Sequence, residues 1–293
     1  MKSVSQMLKA CGIRPSRRLG QSFLTDERIA SRVVGAAELR EGEVALEIGP
    51  GLGILTEQLL ERASKVVAIE IDERLCNLLS SRFGGDDRFI LLNKDVLSVD
   101  VGRLAEAEAG GRFVVVAALP YSISSPALLH MMRAKRSIDR AVIILQREVG
   151  ARLWARPGEK SYGTLSVIVR YAATVNTLFP IAPHSFYPQP RVESVAIHLD
   201  LQCAPAVHVD DEERFRALVA SALSQRRKMA RNAIRPAFGL SASQIRVLEH
   251  RSGIDLSRRA ETFSLDEFAC LANTLGEVLC SGHSSTVPPD GQS

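Results

Sequence analysis

A glycine-rich turn with an acidic residue on each side is the strongest chemical pattern in this chain. The turn reads Gly49-Pro50-Gly51-Leu52-Gly53, with Glu47 two residues before it and Glu70 at the end of the next apolar run. Glycine tolerates positive φ and carries no side chain that would hold a ligand away from a strand end. Glu70 is placed to accept hydrogen bonds from ribose hydroxyls, because an acidic residue about 20 positions past such a turn has this role in dinucleotide folds. The pattern predicts a site for an adenosine-containing cofactor.

The glycine spacing favours one cofactor over another. Dinucleotide-binding turns read G-x-G-x-x-G, whereas this turn reads G-x-G-x-G and has Ile54 where the third glycine would fall. Glu47 would repel a pyrophosphate and suits a ligand that carries a cationic amino group. S-adenosylmethionine is such a ligand. The alternative is a tight strand-to-helix turn that binds no ligand. The spacings of Glu47 and Glu70 from the turn make this alternative less favoured.

Residues that follow two later strands could hold a nucleobase or the adenine of the cofactor. Asp95 can accept a hydrogen bond from the cofactor's adenine amino group, although a helix N-cap or a turn would explain an aspartate here equally well. Pro120 favours an extended Leu119, whose carbonyl could then accept from an exocyclic amine. Tyr121 offers a face for stacking on a base, unless it is simply a buried loop tyrosine. Phe186 could close over the opposite face.

The elements that must position these residues alternate along the chain. Apolar runs typical of strands are separated by segments with helical periodicity, a pattern that predicts an α/β fold with a doubly wound, Rossmann-like parallel sheet. After a linker at residues 202–211, the apolar spacing is helical with no strand between. We predict a cofactor-binding domain at residues 1–203, a helical domain at 204–280 and a disordered tail at 281–293. The predicted strands are Val44–Ile48, Val66–Ile71, Phe89–Leu92, Phe113–Ala117, Ala141–Leu145 and Ser194–Leu199.

Composition narrows the class of protein. The chain has 293 residues, 46% of them hydrophobic, yet its apolar runs are far shorter than the roughly 20 residues of a membrane span. Five cysteines without a C-x-x-C pair, and a start without signal-peptide features, predict a cytoplasmic protein with reduced thiols. The histidines show no metal-ligand spacing, so we expect no metal. The net charge of +4 permits a nucleic-acid partner without requiring one.

Two basic clusters could contact an RNA backbone, although a solvated helix face is the alternative for each. The first comprises Arg14, Arg17 and Arg18, and the second Arg226, Arg227, Lys228, Arg231 and Arg235.

Several motifs in order resemble the ribosomal RNA adenine dimethyltransferases, specifically the bacterial small-subunit (KsgA-type) enzymes that methylate two adjacent adenines. The resemblance covers roughly residues 14 to 270. Besides the glycine turn, it includes Arg18 to Leu24 as an opening motif and Leu119-Pro120-Tyr121 as a target-base motif. Later signatures are Gln146 to Val149, Pro157-Gly158 with Tyr162-Gly163, Phe186 to Pro190, and Ser224 to Lys228.

The resemblance implies roles for named residues. Those that would line the S-adenosylmethionine site are Ser22, Leu24, Glu47, Gly49, Gly51, Glu70, Asp95 and Ala118, and those that would act on the target adenine are Ala118, Leu119, Tyr121 and Phe186, the two aromatics forming a sandwich. Two positions depart from the family pattern. Ser22 replaces an asparagine or histidine, and Ala118 replaces the asparagine whose oxygen accepts a hydrogen from the target amine. Without that contact the rate should fall roughly 10- to 200-fold.

The function this implies is S-adenosylmethionine-dependent N6,N6-dimethylation of two adjacent adenines in small-subunit ribosomal RNA during ribosome assembly. The partner would be that RNA or an immature small subunit, and the protein a monomer. An assembly factor with weak or absent methylation is the alternative that Ala118 leaves open, whether that alanine is natural or engineered. A methyltransferase for large-subunit RNA fits less well, because Ser224 to Lys228 resembles the small-subunit group.

Overall fold

The computed structural model of the protein describes Gln6, Leu8, residues 12–202 and residues 204–283. Its strands are β1 (Phe23–Leu24), β2 (Val44–Ile48), β3 (Lys65–Glu70), β4 (Phe89–Asn93), β5 (Phe113–Ala118), β6 (Ile138–Gln146), β7 (Thr174–Ile181), β8 (Phe186–Tyr187) and β9 (Ser194–Asp200). Its helices are α1 (Glu27–Gly35), α2 (Ile54–Leu60), α3 (Glu73–Phe83), α4 (Val101–Ala109), α5 (Ser124–Arg133), α6 (Arg147–Trp154), α7 (Thr164–Ala172), α8 (Glu212–Ser224), α9 (Ala230–Ala237), α10 (Ala242–Ser252) and α11 (Leu265–His283).

A seven-stranded sheet in the order β4-β3-β2-β5-β6-β9-β7 forms the centre of the first compact unit. The first five strands in that order are parallel to one another, as the alternating pattern predicts. Strands β9 and β7 follow at one side of the sheet and pair antiparallel with their neighbours. The inner strands are apolar along almost their whole length, which is typical of parallel strands covered on both faces. The prediction of a Rossmann-like α/β fold is confirmed. All six predicted strands are present, with ends shifted by at most a few residues.

Helices α1 and α2 pack with β2, β5 and β6 in the main apolar core, because their apolar residues recur at helical spacing. In α1 the buried residues are Ala30, Val33 and Val34, and Asp26 caps the helix by accepting from the Arg28 backbone N–H. This packing fixes the start of α2 directly after the glycine turn, at the carboxyl end of β2.

The second compact unit contains residues 154–171 together with the described residues from Pro205 onwards. Its core holds Phe215, Phe263 and Phe268, and the Tyr171 ring lies 4.8 Å from that of Phe215. The described part of this unit is helical apart from one isolated bridge between Met229 and Arg259. Residues 154–171 group with these helices, whereas our sequence boundary put them in the first domain.

The predicted tail is only partly within the described residues. Helix α11 continues to His283, so residues 281–283 are helical rather than disordered, and residues 284–293 lie outside the described part of the chain. Throughout the described residues, every helix is too short or too polar to cross a membrane.

Candidate functional site

A cavity that is partly open to solvent lies at the carboxyl ends of the parallel strands of the first unit. Parallel α/β sheets bind ligands at this edge because the connecting turns open there. The N-terminal segment, the glycine turn and the ends of β3, β4 and β5 all contribute to its wall. Lining residues predicted from the sequence are Ser22, Leu24, Gly49, Gly51, Glu70, Asp95 and Ala118; those not predicted include Gln21, Ile71, Lys94, Ser122 and Ile123.

The glycine turn depends on glycine for both its conformation and its packing. Gly51 has a φ of 58° and Gly53 a φ of 82°, in the left-handed region that side chains disfavour. A Cβ at Gly51 would also lie 2.9 Å from Cδ1 of Phe23, and one at Gly53 would lie 2.6 Å from Phe83. The turn is therefore pressed against the N-terminal segment on one side and α3 on the other.

Glu70 lies at the end of β3 with its carboxyl group directed at the turn. One oxygen accepts from the Gly51 backbone N–H at 3.3 Å and the other from the Asp72 N–H at 2.9 Å. The side chain is buried, and this burial raises its pKa against the lowering effect of the two N–H donors. A carboxylate has about four acceptor positions, so two remain for a ligand in the cavity that Glu70 lines. Glu70 thus also holds the turn in place, a role the sequence did not reveal.

Glu47, in contrast, does not reach the cavity wall. Its side chain is fully buried, Oε2 accepts from the Thr56 hydroxyl at 2.6 Å, and Oε1 has no hydrogen-bond partner in the described structure. The pKa of Glu47 is raised to about 8, chiefly by burial and in part by the nearby Glu70 carboxyl, against the lowering effect of the hydrogen bonds from Thr56. The Glu47 carboxyl group therefore lies behind the cavity wall, next in sequence to the lining residue Ile48.

Asp95 both caps a turn and lines the cavity, in line with the two alternatives that its sequence position left open. It caps a short helical turn, since its Oδ1 accepts from the Leu97 backbone N–H at 3.0 Å. It is also exposed and lines the cavity beside Lys94. The capping bond orients the carboxyl group and leaves acceptor positions for an adenine amine.

The N-terminal segment forms one wall and is tied to the rest of the site by hydrogen bonds. Gln21 donates to Asp72 at 2.9 Å and accepts from the Ser16 backbone N–H, while Ser22 donates to the Pro188 carbonyl at 2.8 Å. Leu24 is buried, and its Cα pairs with that of Phe186 where β1 and β8 form a two-stranded sheet. The opening motif and the Phe186 to Pro190 loop are therefore neighbours, which their sequence separation of about 160 residues conceals.

The target-base side of the site is only partly arranged as expected. Ala118 lines the cavity and is partly exposed, and the Leu119 N–H donates to Ile144 at 3.2 Å. Within the described residues, no donor bonds to the Leu119 carbonyl. Tyr121 is partly buried, and its hydroxyl lies 2.9 Å from that of Ser194. Phe186 is only 4% exposed and belongs to the main apolar core, so its predicted stacking face is covered in this conformation.

The basic clusters differ in how free their side chains are. Arg226 is held by Glu261, at 3.1 Å, and by the Lys160 carbonyl, while Arg227 and Lys228 are exposed. The N-terminal arginines Arg14, Arg17 and Arg18 are also exposed. Arg226 therefore has a structural role that sequence did not show. In the described part of the chain, no group of three or more His, Cys, Asp or Glu side chains could hold a metal ion.

The family model for ribosomal RNA adenine dimethylases matches residues 14–277. The chain belongs to this family. A "Ribosomal RNA small subunit methyltransferase A" from Moorella thermoacetica is 40% identical over 275 residues, covering 92% of this chain and 95% of the relative. A protein of the same name from Alkaliphilus oremlandii is 37% identical over 280 residues, covering 95% and 98% respectively. The family match includes every predicted site residue from Ser22 to Phe186.

Solved structures show the same fold at lower sequence identity. A dimethyladenosine transferase from Plasmodium falciparum is 23% identical with a TM-score of 0.63, covering 89% of this chain and 98% of that one. The 23S rRNA methyltransferase ErmE is also 23% identical, with a TM-score of 0.59, covering 87% and 99%. For this member of the ribosomal RNA adenine dimethylase family, these likenesses support the Rossmann-like architecture alone.

Proposed function

We propose that this protein transfers methyl groups from S-adenosylmethionine to N6 of two adjacent adenines in small-subunit ribosomal RNA during ribosome assembly. The observation that carries the proposal is the cavity wall. It brings the glycine turn and Glu70 together with Ala118, the residue next to the free Leu119 carbonyl. A cofactor site and an acceptor for an exocyclic amine thus share one edge of the sheet. The family membership and the names of the relatives point in the same direction.

The residues present fit the proposed cofactor. Glu70 has two acceptor positions left for the ribose hydroxyls, and Asp95 has acceptor positions directed to the cavity for the adenine amine. Ile71 is half exposed and lines the same wall, where its side chain can cover an adenine ring. The fully buried Oε1 of Glu47, to which none of the described residues donates, marks a region of the site where positive charge would be stabilised. When bound, S-adenosylmethionine supplies a methyl group on a positively charged sulfur.

The chemistry asks little more of the protein than positioning. An adenine amine is a weak nucleophile because its lone pair is delocalised into the ring. Acceptors that hold its hydrogens favour a pyramidal nitrogen with the lone pair turned towards the methyl carbon. Glu70 and Asp95 would hold the cofactor, which would supply a methyl group on a good leaving group, a neutral thioether. The amine nitrogen would bond to the methyl carbon as the carbon–sulfur bond breaks, and its proton would pass to solvent. No strong base is required, so preorganised contacts make the main contribution.

The acceptor that we propose for the target amine is the Leu119 carbonyl, with Tyr121 stacked on the base. The second aromatic face is Phe186, which can reach a base only after the loop from Phe186 to Pro190 shifts, because it is buried in this conformation. Ala118 provides no second acceptor, and this lowers the expected rate.

We further propose that the first compact unit binds the cofactor and catalyses, and that residues 204–280 bind RNA through their exposed basic side chains. The partner is small-subunit ribosomal RNA or an immature small subunit, met by a monomer in the cytoplasm. Arg227 and Lys228 are the strongest candidates for phosphate contacts, since Arg226 is engaged by Glu261.

The test is mass spectrometry of nucleosides from small-subunit RNA, naked or in an immature particle, after incubation with the protein and S-adenosylmethionine. We expect N6,N6-dimethyladenosine at two adjacent positions. A second candidate function, an assembly factor that binds immature subunits, is favoured by Ala118 alone. Specific particle binding without any methylation over long incubation would support that function and contradict the first.

A further inference from the structure

The buried pair of Glu47 and Thr56 has no assigned task beyond the proposed acidic contact, and its hydrogen bonding is incomplete. Both side chains are fully buried, and the bond from the Thr56 hydroxyl to Oε2 is 2.6 Å long. Oε1 is without a partner among the described residues. Burying a carboxyl group that has so few hydrogen-bond donors costs free energy. A positive charge close to Glu47 would offset that cost.

Among the described residues, the surroundings of Glu47 offer no positive charge to offset that cost. On the neighbouring strands, β3 places Ala68 and β5 places Val116 opposite it, and both are apolar. Helix α2 provides only Thr56, and the charged group that acts on Glu47 is the like-charged Glu70 at the end of β3. Thr56 is therefore the single residue in the described structure whose polar groups, chiefly its hydroxyl, both orient Glu47 and favour its ionised form.

The pair lies immediately behind the cavity wall. Ile48 follows Glu47 and lines the cavity, as do Ile54 and Leu55, the residues before Thr56. A charge at this depth acts on a ligand through a medium of low dielectric, where its effect is several times larger than in water. Direct contact is not required for such an effect.

We propose that Thr56 is a positioning residue of the cofactor site, which holds the Glu47 carboxyl group behind the glycine turn so that its charge selects ligands carrying an ammonium group. This inference rests on the proposed function, because it concerns the amino-acid end of the same cofactor. Thr56 sets the strength of the selection without touching the ligand.

Two probes separate this role from a general effect on the fold. S-adenosylhomocysteine carries the ammonium group, whereas 5′-methylthioadenosine has the same nucleoside and thioether without the amino-acid part. Calorimetry at pH 7 should show that Thr56→Val weakens S-adenosylhomocysteine binding by about 10-fold or more, the effect of one hydrogen bond to a charged group. Affinity for 5′-methylthioadenosine should change less than about 2-fold. Thr56→Ser, which restores the hydroxyl, should bind both probes like the parent.

The pH dependence supplies an independent readout. In the parent, affinity for S-adenosylhomocysteine should rise from pH 6 to pH 8, because the cationic probe binds best when Glu47 is ionised, and its pKa is about 8. Without the Thr56 donor this rise should move to higher pH. The 5′-methylthioadenosine profile should stay flat in both proteins.

Each outcome bears on the proposal. Equal weakening of both probes by Thr56→Val, or weakening of neither, overturns it. Glu47→Gln keeps the side-chain shape and should show the same selective loss, so it provides the test should Thr56→Val not fold; parent-like affinity for both probes in Glu47→Gln also overturns the proposal. A parent that binds neither probe refutes the proposed function itself, and this inference with it.

Discussion

Replacing Ala118 by asparagine tests the proposed reaction at the position where the chain departs from its family. Ala118 packs against the main apolar core but is partly exposed and lines the cavity, into which a longer side chain can extend. The added amide oxygen would join the Leu119 carbonyl, which no described residue bonds to, as a second acceptor for the target amine.

The size of the gain follows from that one contact. A hydrogen bond to an amine that develops positive charge is worth about 1.5–3 kcal/mol, or roughly 10- to 200-fold in rate. Because this hydrogen bond strengthens as the amine becomes pyramidal, it should increase the rate of the methyl-transfer step and leave the affinity for the cofactor nearly unchanged. We therefore expect Ala118→Asn to accelerate transfer by about 10-fold or more.

Single-turnover kinetics with excess enzyme, followed by mass spectrometry of the RNA nucleosides, would measure this step directly. Ala118→Leu is the matched control, because it adds similar bulk without an acceptor and should give no gain. A fast parent with no improvement in Ala118→Asn would refute this account of position 118, as would equal acceleration by Ala118→Leu.

Three further predictions concern the rest of the molecule. Glu70→Gln should weaken S-adenosylmethionine binding by about 10-fold or more, since one amide oxygen cannot serve the two backbone N–H donors and the ribose; unchanged affinity in calorimetry, or tight NAD binding by the parent, contradicts the cofactor assignment. Double substitution of Arg227 and Lys228 by alanine should reduce the slope of log RNA affinity against log salt by about 1–2 units without affecting cofactor affinity. Hydrogen bonds from Arg74 lower the pKa of Asp72 from its ordinary value of 3.8 to about 2 in the folded protein. Ionised Asp72 therefore stabilises the fold at pH values above 3.8, and this contribution is lost as the pH falls towards 2. Urea unfolding should therefore show Asp72→Asn less stable than the parent at pH 6, and the difference should shrink by pH 3; a constant difference speaks against this.

The central strands could be predicted because burial on both faces demands long apolar runs, which are visible in the sequence. Strand β7 could not, since it is an edge strand with mostly exposed positions and Pro180 within it. Strands β1 and β8 have two residues each, too few for any period. Their pairing depends on contacts between distant segments, which no local pattern records.

The candidate site was predictable to the extent that the sheet dictates it. Glu70 and Asp95 reach one cavity because the ends of parallel strands meet at one edge. Sequence could not show that Phe186 is buried or that Arg226 is paired with Glu261, because both facts depend on tertiary neighbours. The Thr56 contact with Glu47 offered a faint signal, a polar residue among the apolar positions of α2.

The two walls of the cavity are mechanically connected, which bears on why the structure tolerates alanine at position 118. Phe23 packs against Gly51 on the cofactor side and pairs with Tyr187 of the loop on the base side. Ser22 donates to Pro188 across the same junction. None of these contacts involves the side chain at 118, so its replacement removes an acceptor from the reaction without loosening either wall. In the proposed function, the walls of the cofactor site are therefore intact beside a base site that lacks one polar contact, and we expect that restoring this contact needs no other change.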